Sequence, residues 1–108
     1  MQLNIVSGKL HSMHFGDNFS RLIGMFGLTS REAAELLGVS PQTISTWLNR
    51  PSTRPATEAG LRITELFEVP LHRLINEPFS ELLDLLGDKE RYERVEAKTR
   101  RQSIKAVS

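Results

Sequence analysis

The segment 41–49, with the sequence PQTISTWLN, combines amide and hydroxyl side chains and contains no acid. Amide groups can pair bidentately with adenine, and hydroxyl groups can serve any base in a major groove. If the segment is helical, Gln42, Thr46 and Asn49 lie opposite Ile44, the residue expected to face the domain interior. The outward face is therefore suited to reading the bases of double-stranded DNA.

The surroundings of this face carry groups that could hold a DNA backbone. Ser45 and Thr43 lie on its two flanks, and Arg50 and Arg54 follow the segment. Guanidinium groups in that place could hold phosphates, which fix a protein on the duplex without reading its sequence. A short polar helix face is often simply solvated, but the flanking arginines and the elements around the segment favour DNA.

Capping signals predict a pair of short helices that would position these residues. Thr29 and Glu32 have the S/T-x-x-E spacing of a capping box, which predicts a helix that begins at Ser30. Gly38 is suited to the left-handed residue that closes a helix. Ser40 is a preferred N-cap and Pro41 is favoured at the first helical position, so a second helix follows after a three-residue turn. Pro51 requires that helix to end near residue 49.

Apolar spacing predicts further helices on both sides of the pair. The residues Phe15, Phe19, Leu22, Ile23 and Phe26 recur at the spacing of one helical face. Asp17 is expected to cap this first helix and Gly27 to end it. A fourth helix is expected from Ala56 or Thr57 to Phe67, and a short fifth from Leu71 to Asn76. Five helices then form an all-α domain.

The sequence LGVSPQTISTW resembles the turn and recognition helix of the lambda-repressor-like helix-turn-helix proteins, also called the Cro or XRE-type family. The sequence EVPLHRLI resembles their closing helix, so that the resemblance covers residues 19–76. It implies a five-helix DNA-binding domain and a transcription regulator, expected to be a repressor that binds a pseudo-palindromic operator as a homodimer. The implied base contacts are Gln42, Ser45 and Thr46; the expected backbone contacts are Ser30, Thr43, Asn49, Arg50 and Arg54.

The chain departs from the family pattern at two positions. Ser30 and Pro41 stand where the family often has a glutamine and a polar residue, so a glutamine bridge between these positions cannot form. Ser30 can still meet a phosphate through its hydroxyl or backbone amide, as helix N-termini do. Base reading is then expected to begin at Gln42.

The remaining residues divide into an arm and an extension. Residues 1–14 are expected to form an N-terminal arm or a short strand, residues 15–77 the helix-turn-helix domain, and residues 78–108 a C-terminal helical extension. An apolar stripe in the extension is the candidate dimerisation surface, although the same helix could instead fold back on its own domain; it comprises Phe79, Leu82, Leu83 and Leu86. The extension ends in a basic tail without acids that could touch phosphate or an acidic partner; its cations are Lys98, Arg100, Arg101 and Lys105.

Composition and motifs argue against other classes of protein. The chain has 108 residues, 14 basic and 13 acidic side chains, and no cysteine, so it is expected to be a single reduced domain without disulfides. No apolar run is long enough to span a membrane, and we expect a cytoplasmic protein. His11 and His14 have a possible metal-ligand spacing, but no third ligand lies nearby, so we expect no enzyme, metal or cofactor. The main rival is an antitoxin, or another module whose terminal segments bind a partner protein.

Overall fold

A computed structural model describes residues 14–50 and 53–107, with side chains described through residue 100. Residues 1–13 of the expected N-terminal arm, including His11, lie outside the described residues. The described residues form helices and no strand, in the order α1 Phe15–Met25, α2 Ser30–Leu37, α3 Pro41–Asn49, α4 Thr57–Phe67, α5 Leu71–Asn76, a 3₁₀ turn Phe79–Leu82, α6 Leu83–Leu86 and α7 Lys89–Val107. The predicted all-α fold, with a five-helix domain and a helical extension, is confirmed.

Helix α1 begins earlier than its capping signal predicts. Asp17 lies inside the first turn, and its carboxylate pairs with Arg21 at 3.1 Å; it does not cap the helix. The helix begins at Phe15 because that side chain is itself buried in the core, next to Phe19. Tertiary packing therefore overrides the local capping preference. At the other end the backbone of Gly27 is left-handed, with φ of 65°, and the helix has ended as predicted.

The caps of the α2–α3 pair match the sequence patterns. The Thr29 hydroxyl accepts from the amide of Glu32 at 3.1 Å, and the Glu32 carboxylate accepts from the amide of Thr29 at 2.9 Å. Gly38 ends α2 with φ of 69°. Ser40 then caps α3 by accepting from the amide of Thr43 at 3.1 Å. Each helix therefore has a defined start, and the turn between them is short.

Aromatic packing holds α3 against α1. The ring of Trp47 is edge-on to Phe15 at 5.6 Å and to Phe19 at 5.3 Å between ring centroids. Gly16 faces the same helix so closely that a Cβ atom there would lie 2.6 Å from the main-chain oxygen of Trp47. Together with the fully buried Ile44, these contacts fix which face of α3 points outward.

Helix α5 is anchored to α1 by a buried amide. The Nδ2 group of Asn18 donates to the main-chain oxygens of Leu74 at 2.8 Å and Glu77 at 2.7 Å. These oxygens lie at the C-terminal end of α5, where carbonyl groups have no partner within the helix. Asn18 thereby serves as a long-range C-terminal cap.

The extension folds back on its own domain, which corrects part of the dimerisation hypothesis. Leu82 is fully buried and Leu86 is 4% exposed, and both belong to the same core as the five-helix domain. Neither side chain offers a free surface to a second copy. Leu83, by contrast, is 55% exposed, and Phe79 is half-buried.

Helix α7 is polar, yet it packs against α4 and α2. Val95 is fully buried in the core, and Tyr92 stacks on Phe26 at 4.9 Å between ring centroids. The buried Arg91 guanidinium donates to the main-chain oxygens of Phe67 and Glu68, at the C-terminal end of α4. Cations at that end satisfy free carbonyls and oppose the helix dipole, which explains how so polar a helix is held.

Candidate nucleic-acid interface

The polar face of α3 is directed away from the core. The side chains of Gln42, Ser45 and Asn49 are exposed, and those of Thr43 and Thr46 are partly exposed. The opposite side of the helix carries Ile44 and Trp47, both buried. The structure therefore brings the predicted base-contacting residues together on one accessible surface.

Two side chains on this face are tied to the backbone of α3. The Thr46 hydroxyl donates to the main-chain oxygen of Gln42 at 3.0 Å. The Asn49 amide donates to the main-chain oxygen of Ser45 at 2.9 Å and to its hydroxyl at 3.1 Å. The side chain of Gln42 hydrogen-bonds to none of the described residues, so both ends of its amide are available to a ligand.

The two predicted backbone-contacting hydroxyls lie in different settings. Ser30 is exposed at the first position of α2, a helix start that concentrates free amide groups. The hydroxyl of Thr43 is 2.9 Å from that of Ser40, so it takes part in the cap of α3. Of the two, Ser30 is the freer to meet a phosphate.

Exposed arginines without an ion pair to any described residue precede and follow α3 along the chain. Arg50 is the C-terminal cap residue of α3, and Arg54 follows in the loop before α4; both are exposed. Arg31, which is not among the contacts predicted from the sequence, is exposed in the first turn of α2. Within the described part of the chain none of the three forms an ion pair. Arg31 directly follows Ser30 in the sequence, and this position was the signal that could have identified it as a phosphate contact.

The described cations of the basic tail contact acidic residues of the chain itself. Lys98 donates to the main-chain oxygen of Glu65 and lies 3.3 Å from the carboxylate of Glu68, and Arg100 pairs with Glu96 at 2.8 Å. The tail's two remaining cations, Arg101 and Lys105, have no described side chains. Lys98 and Arg100 therefore pair with acids of the chain, whereas Arg50 and Arg54 pair with none of the described residues.

Glu68 forms ion pairs with two cations of α7, Arg94 and Lys98. The single Nε–H of Arg94 is shared between the two oxygens of this carboxylate at 3.1 Å, and Nη2 donates to one of them at 2.8 Å. The hydrogen bonds from Arg94, assisted by Lys98, lower the pKa of Glu68 to about 2. This cluster neutralises Arg94 and Lys98 of α7, whereas Arg31, Arg50 and Arg54 form no ion pair with any described residue.

Two other kinds of site receive no support from the described residues. Within them, no three histidine, aspartate or glutamate side chains come together in a way that could hold a metal ion. His14, one of the two histidines with a possible metal-ligand spacing, precedes α1, and its main-chain amide donates to the main-chain oxygen of Ile75 at 3.1 Å. As far as the helices are described, none is long and apolar enough to cross a membrane.

A capped helix, a glycine turn and a second helix with an outward polar face define the class of helix-turn-helix DNA-binding proteins. The model of the helix-turn-helix family matches residues 21–74, half of the chain. The chain belongs to this family, in its Cro/C1-type, lambda-repressor-like form, and is by that membership a DNA-binding transcription regulator. Comparisons with curated proteins and with solved structures gave no match.

Proposed function

We propose that this protein is a sequence-specific repressor that binds a pseudo-palindromic operator in double-stranded DNA as a homodimer. The observation that carries the proposal is the surface of α3, where amide and hydroxyl groups are exposed and which exposed arginines precede and follow along the chain. Gln42, Ser45 and Thr46 would contact base edges in the major groove. Arg31, Arg50 and Arg54 would hold phosphates on either side, joined by Ser30 at the start of α2.

Dimerisation supplies the specificity that one module lacks. A good bidentate contact discriminates between bases by roughly 1–3 kcal/mol, which is too little to select one site in a genome. Two copies related by a two-fold axis double the reading surface and favour half-sites about one helical turn apart. In the extension, Leu83 is exposed and Phe79 is half-buried, and these two side chains are the candidate apolar surface for this contact.

Repression requires less from the protein than activation does. A dimer that covers its operator excludes other proteins by occupancy, without a further contact to the transcription machinery.

The test is selection of binding sites from a randomised duplex pool at near-physiological salt. Backbone attraction is weakened under that condition while base reading persists. We expect enrichment of a two-fold symmetric motif, and loss of that enrichment in the Gln42→Ala, Thr46→Ala double variant. Failure of the folded protein to enrich any motif would overturn the proposal.

A partner protein is the second candidate, supported by the exposure of two large apolar side chains, Leu61 at 62% and Leu83 at 55%. Substitutions at Leu82 or Leu86 would test folding rather than binding, because both residues are buried. Leu83→Asp is the suitable change. If the protein is a partner-binding module, Leu83→Asp should no longer co-purify with the partner. The purified chain should then have the mass of a monomer both in the wild type and in the variant.

A further inference from the structure

The orientation of the Asn49 side chain is determined by chemistry. One atom of its amide lies 2.9 Å from the main-chain oxygen of Ser45, and that oxygen can only accept a hydrogen bond. The NH₂ end of the amide must therefore face Ser45. Because the same nitrogen is 3.1 Å from the Ser45 hydroxyl oxygen, that oxygen accepts a hydrogen bond as well.

This contact biases what Ser45 can offer to a ligand. A serine hydroxyl has one proton to donate and two lone pairs to accept with. Asn49 uses one of the lone pairs, and a hydroxyl that already accepts is polarised into a better donor. The hydroxyl proton is given to none of the described residues, and the side chain is exposed. Ser45 is thus held ready to donate outward.

Thr46, the neighbouring hydroxyl, has the opposite character. Its proton is donated to the main-chain oxygen of Gln42 at 3.0 Å, so that its lone pairs and its methyl group are what remain. The two adjacent hydroxyl residues therefore differ in polarity: Ser45 is arranged to donate, and Thr46 can only accept while its bond to the helix backbone is kept.

We propose that Ser45 donates to a purine N7 in the major groove and that Asn49 is the positioning residue that holds Ser45 in this donor state. The inference rests on the proposed reading of DNA by α3 and specifies its chemistry. Purine N7 is the acceptor that adenine and guanine share in the major groove. Asn49 then acts through Ser45, in addition to any contact it makes with the DNA backbone.

The experiment replaces each purine of the selected operator, one at a time, by its 7-deaza analogue, in which a C–H group takes the place of N7. Dissociation constants are measured for natural and substituted duplexes, and their ratio is the readout. For the wild-type protein we expect one position per half-site where the substitution weakens binding about tenfold. In Ser45→Ala the ratio at that position should fall to about one.

Two further variants separate positioning from general damage. In Asn49→Asp the carboxylate accepts the Ser45 proton, so we expect the 7-deaza penalty to disappear. The added negative charge also weakens binding, but it does so equally for natural and substituted duplexes. This general loss of affinity therefore cancels in the ratio of their dissociation constants. Thr46→Ala is the matched control: its loss of affinity should leave the penalty at the Ser45 position intact. Thermal unfolding of each variant tests whether the fold tolerates the change.

The outcomes distinguish this inference from the function on which it rests. A selected motif with no purine position that depends on both N7 and Ser45 would overturn the inference and leave DNA reading in place. A penalty that persists in Asn49→Asp would remove Asn49 from the positioning role. If the wild-type protein selects no motif, the proposed function fails and the inference fails with it.

Discussion

Gly16 of α1 and Trp47 of α3 approach so closely that a Cβ atom on Gly16 would lie 2.6 Å from the main-chain oxygen of Trp47. The atom that would be struck belongs to the backbone and cannot rotate away. This contact, together with the aromatic cluster around Trp47, determines how far α3 stands from the core and which of its residues face outward.

Replacement of Gly16 by alanine should therefore lower stability. We expect a loss of about 1–3 kcal/mol in the free energy of unfolding, because overpacking forces the two helices apart. Urea unfolding followed by circular dichroism measures it. Gly24→Ala is the matched control on the same helix: a Cβ there meets no atom within 4 Å, and alanine in an open helical position should be neutral or stabilising. Equal effects at both positions would contradict the close packing.

Replacement of Gln42 by alanine should reduce selectivity more than affinity for arbitrary DNA. Its amide is free to form two hydrogen bonds with one base, and their loss should cost roughly 1–3 kcal/mol on the operator. Binding to unrelated duplexes should hardly change, because that binding depends on phosphate contacts. Titration of operator and scrambled duplexes by fluorescence anisotropy gives both numbers. A uniform loss on both duplexes would show that Gln42 does not read a base.

Replacement of Arg31 by alanine should weaken binding to operator and unrelated DNA alike. A phosphate contact releases bound counterions, so its loss should reduce the slope of log K against log salt concentration by about 0.9. Lys89→Ala, which removes another exposed and unpaired cation at the start of α7, should leave the slope unchanged. The measurement is a salt titration of affinity for all three proteins. The same slope in wild type and Arg31→Ala would place Arg31 outside the interface.

Acidification should remove the contribution that the ionised Glu68 side chain makes to the free energy of unfolding. Because its pKa is lowered from 4.5 to about 2, first by the hydrogen bonds from Arg94, the folded state binds the proton less tightly than the unfolded state. This contribution is complete above about pH 4.5 and is lost as the pH falls towards 2. Glu68→Gln should thus cost about 1 kcal/mol at pH 7 and almost nothing below about pH 2.

Chemical unfolding at several pH values tests the role of Glu68. The control is Glu58→Gln, which removes the pair with Arg62 in which the Glu58 side chain is 79% exposed. Exposed pairs of this kind contribute little, so this variant should follow the wild-type pH profile. A constant difference between Glu68→Gln and wild type over the whole range would refute the proposed linkage.

Replacement of Leu83 by aspartate should convert a dimer into a monomer. Leu83 is 55% exposed next to Phe79, whose ring is covered on one side by Arg21 at 5.3 Å. A charge in the centre of an apolar contact is costly to bury without a partner. Sedimentation equilibrium should give twice the chain mass for the wild type and the single mass for the variant. Leu61→Asp, at an equally exposed leucine on α4, should remain dimeric; if wild type and Leu83→Asp have the same mass, this surface is not the dimer contact.

Local chemistry made the helix-turn-helix pair predictable from the sequence. The Thr29–Glu32 capping box, the left-handed Gly38 and the Ser40 cap each involve residues at most five positions apart. Interactions over so short a distance along the chain are determined by residue type and spacing. For the same reason the outward face of α3 could be assigned from helical periodicity once Ile44 was taken as the inner residue.

Packing between distant parts of the chain decided the rest. Asp17 had the right chemistry for a cap, but burial of Phe15 started the helix earlier. The stripe in the extension was recognised as apolar, yet only the fold could show that Leu82 and Leu86 enter the chain's own core while Leu83 stays exposed. An apolar side chain is stabilised equally by a neighbour from its own chain or from another, because the hydrophobic effect has no direction. Tertiary structure therefore determines which neighbour covers an apolar side chain. The periodicity of one helix shows only that the side chain is apolar.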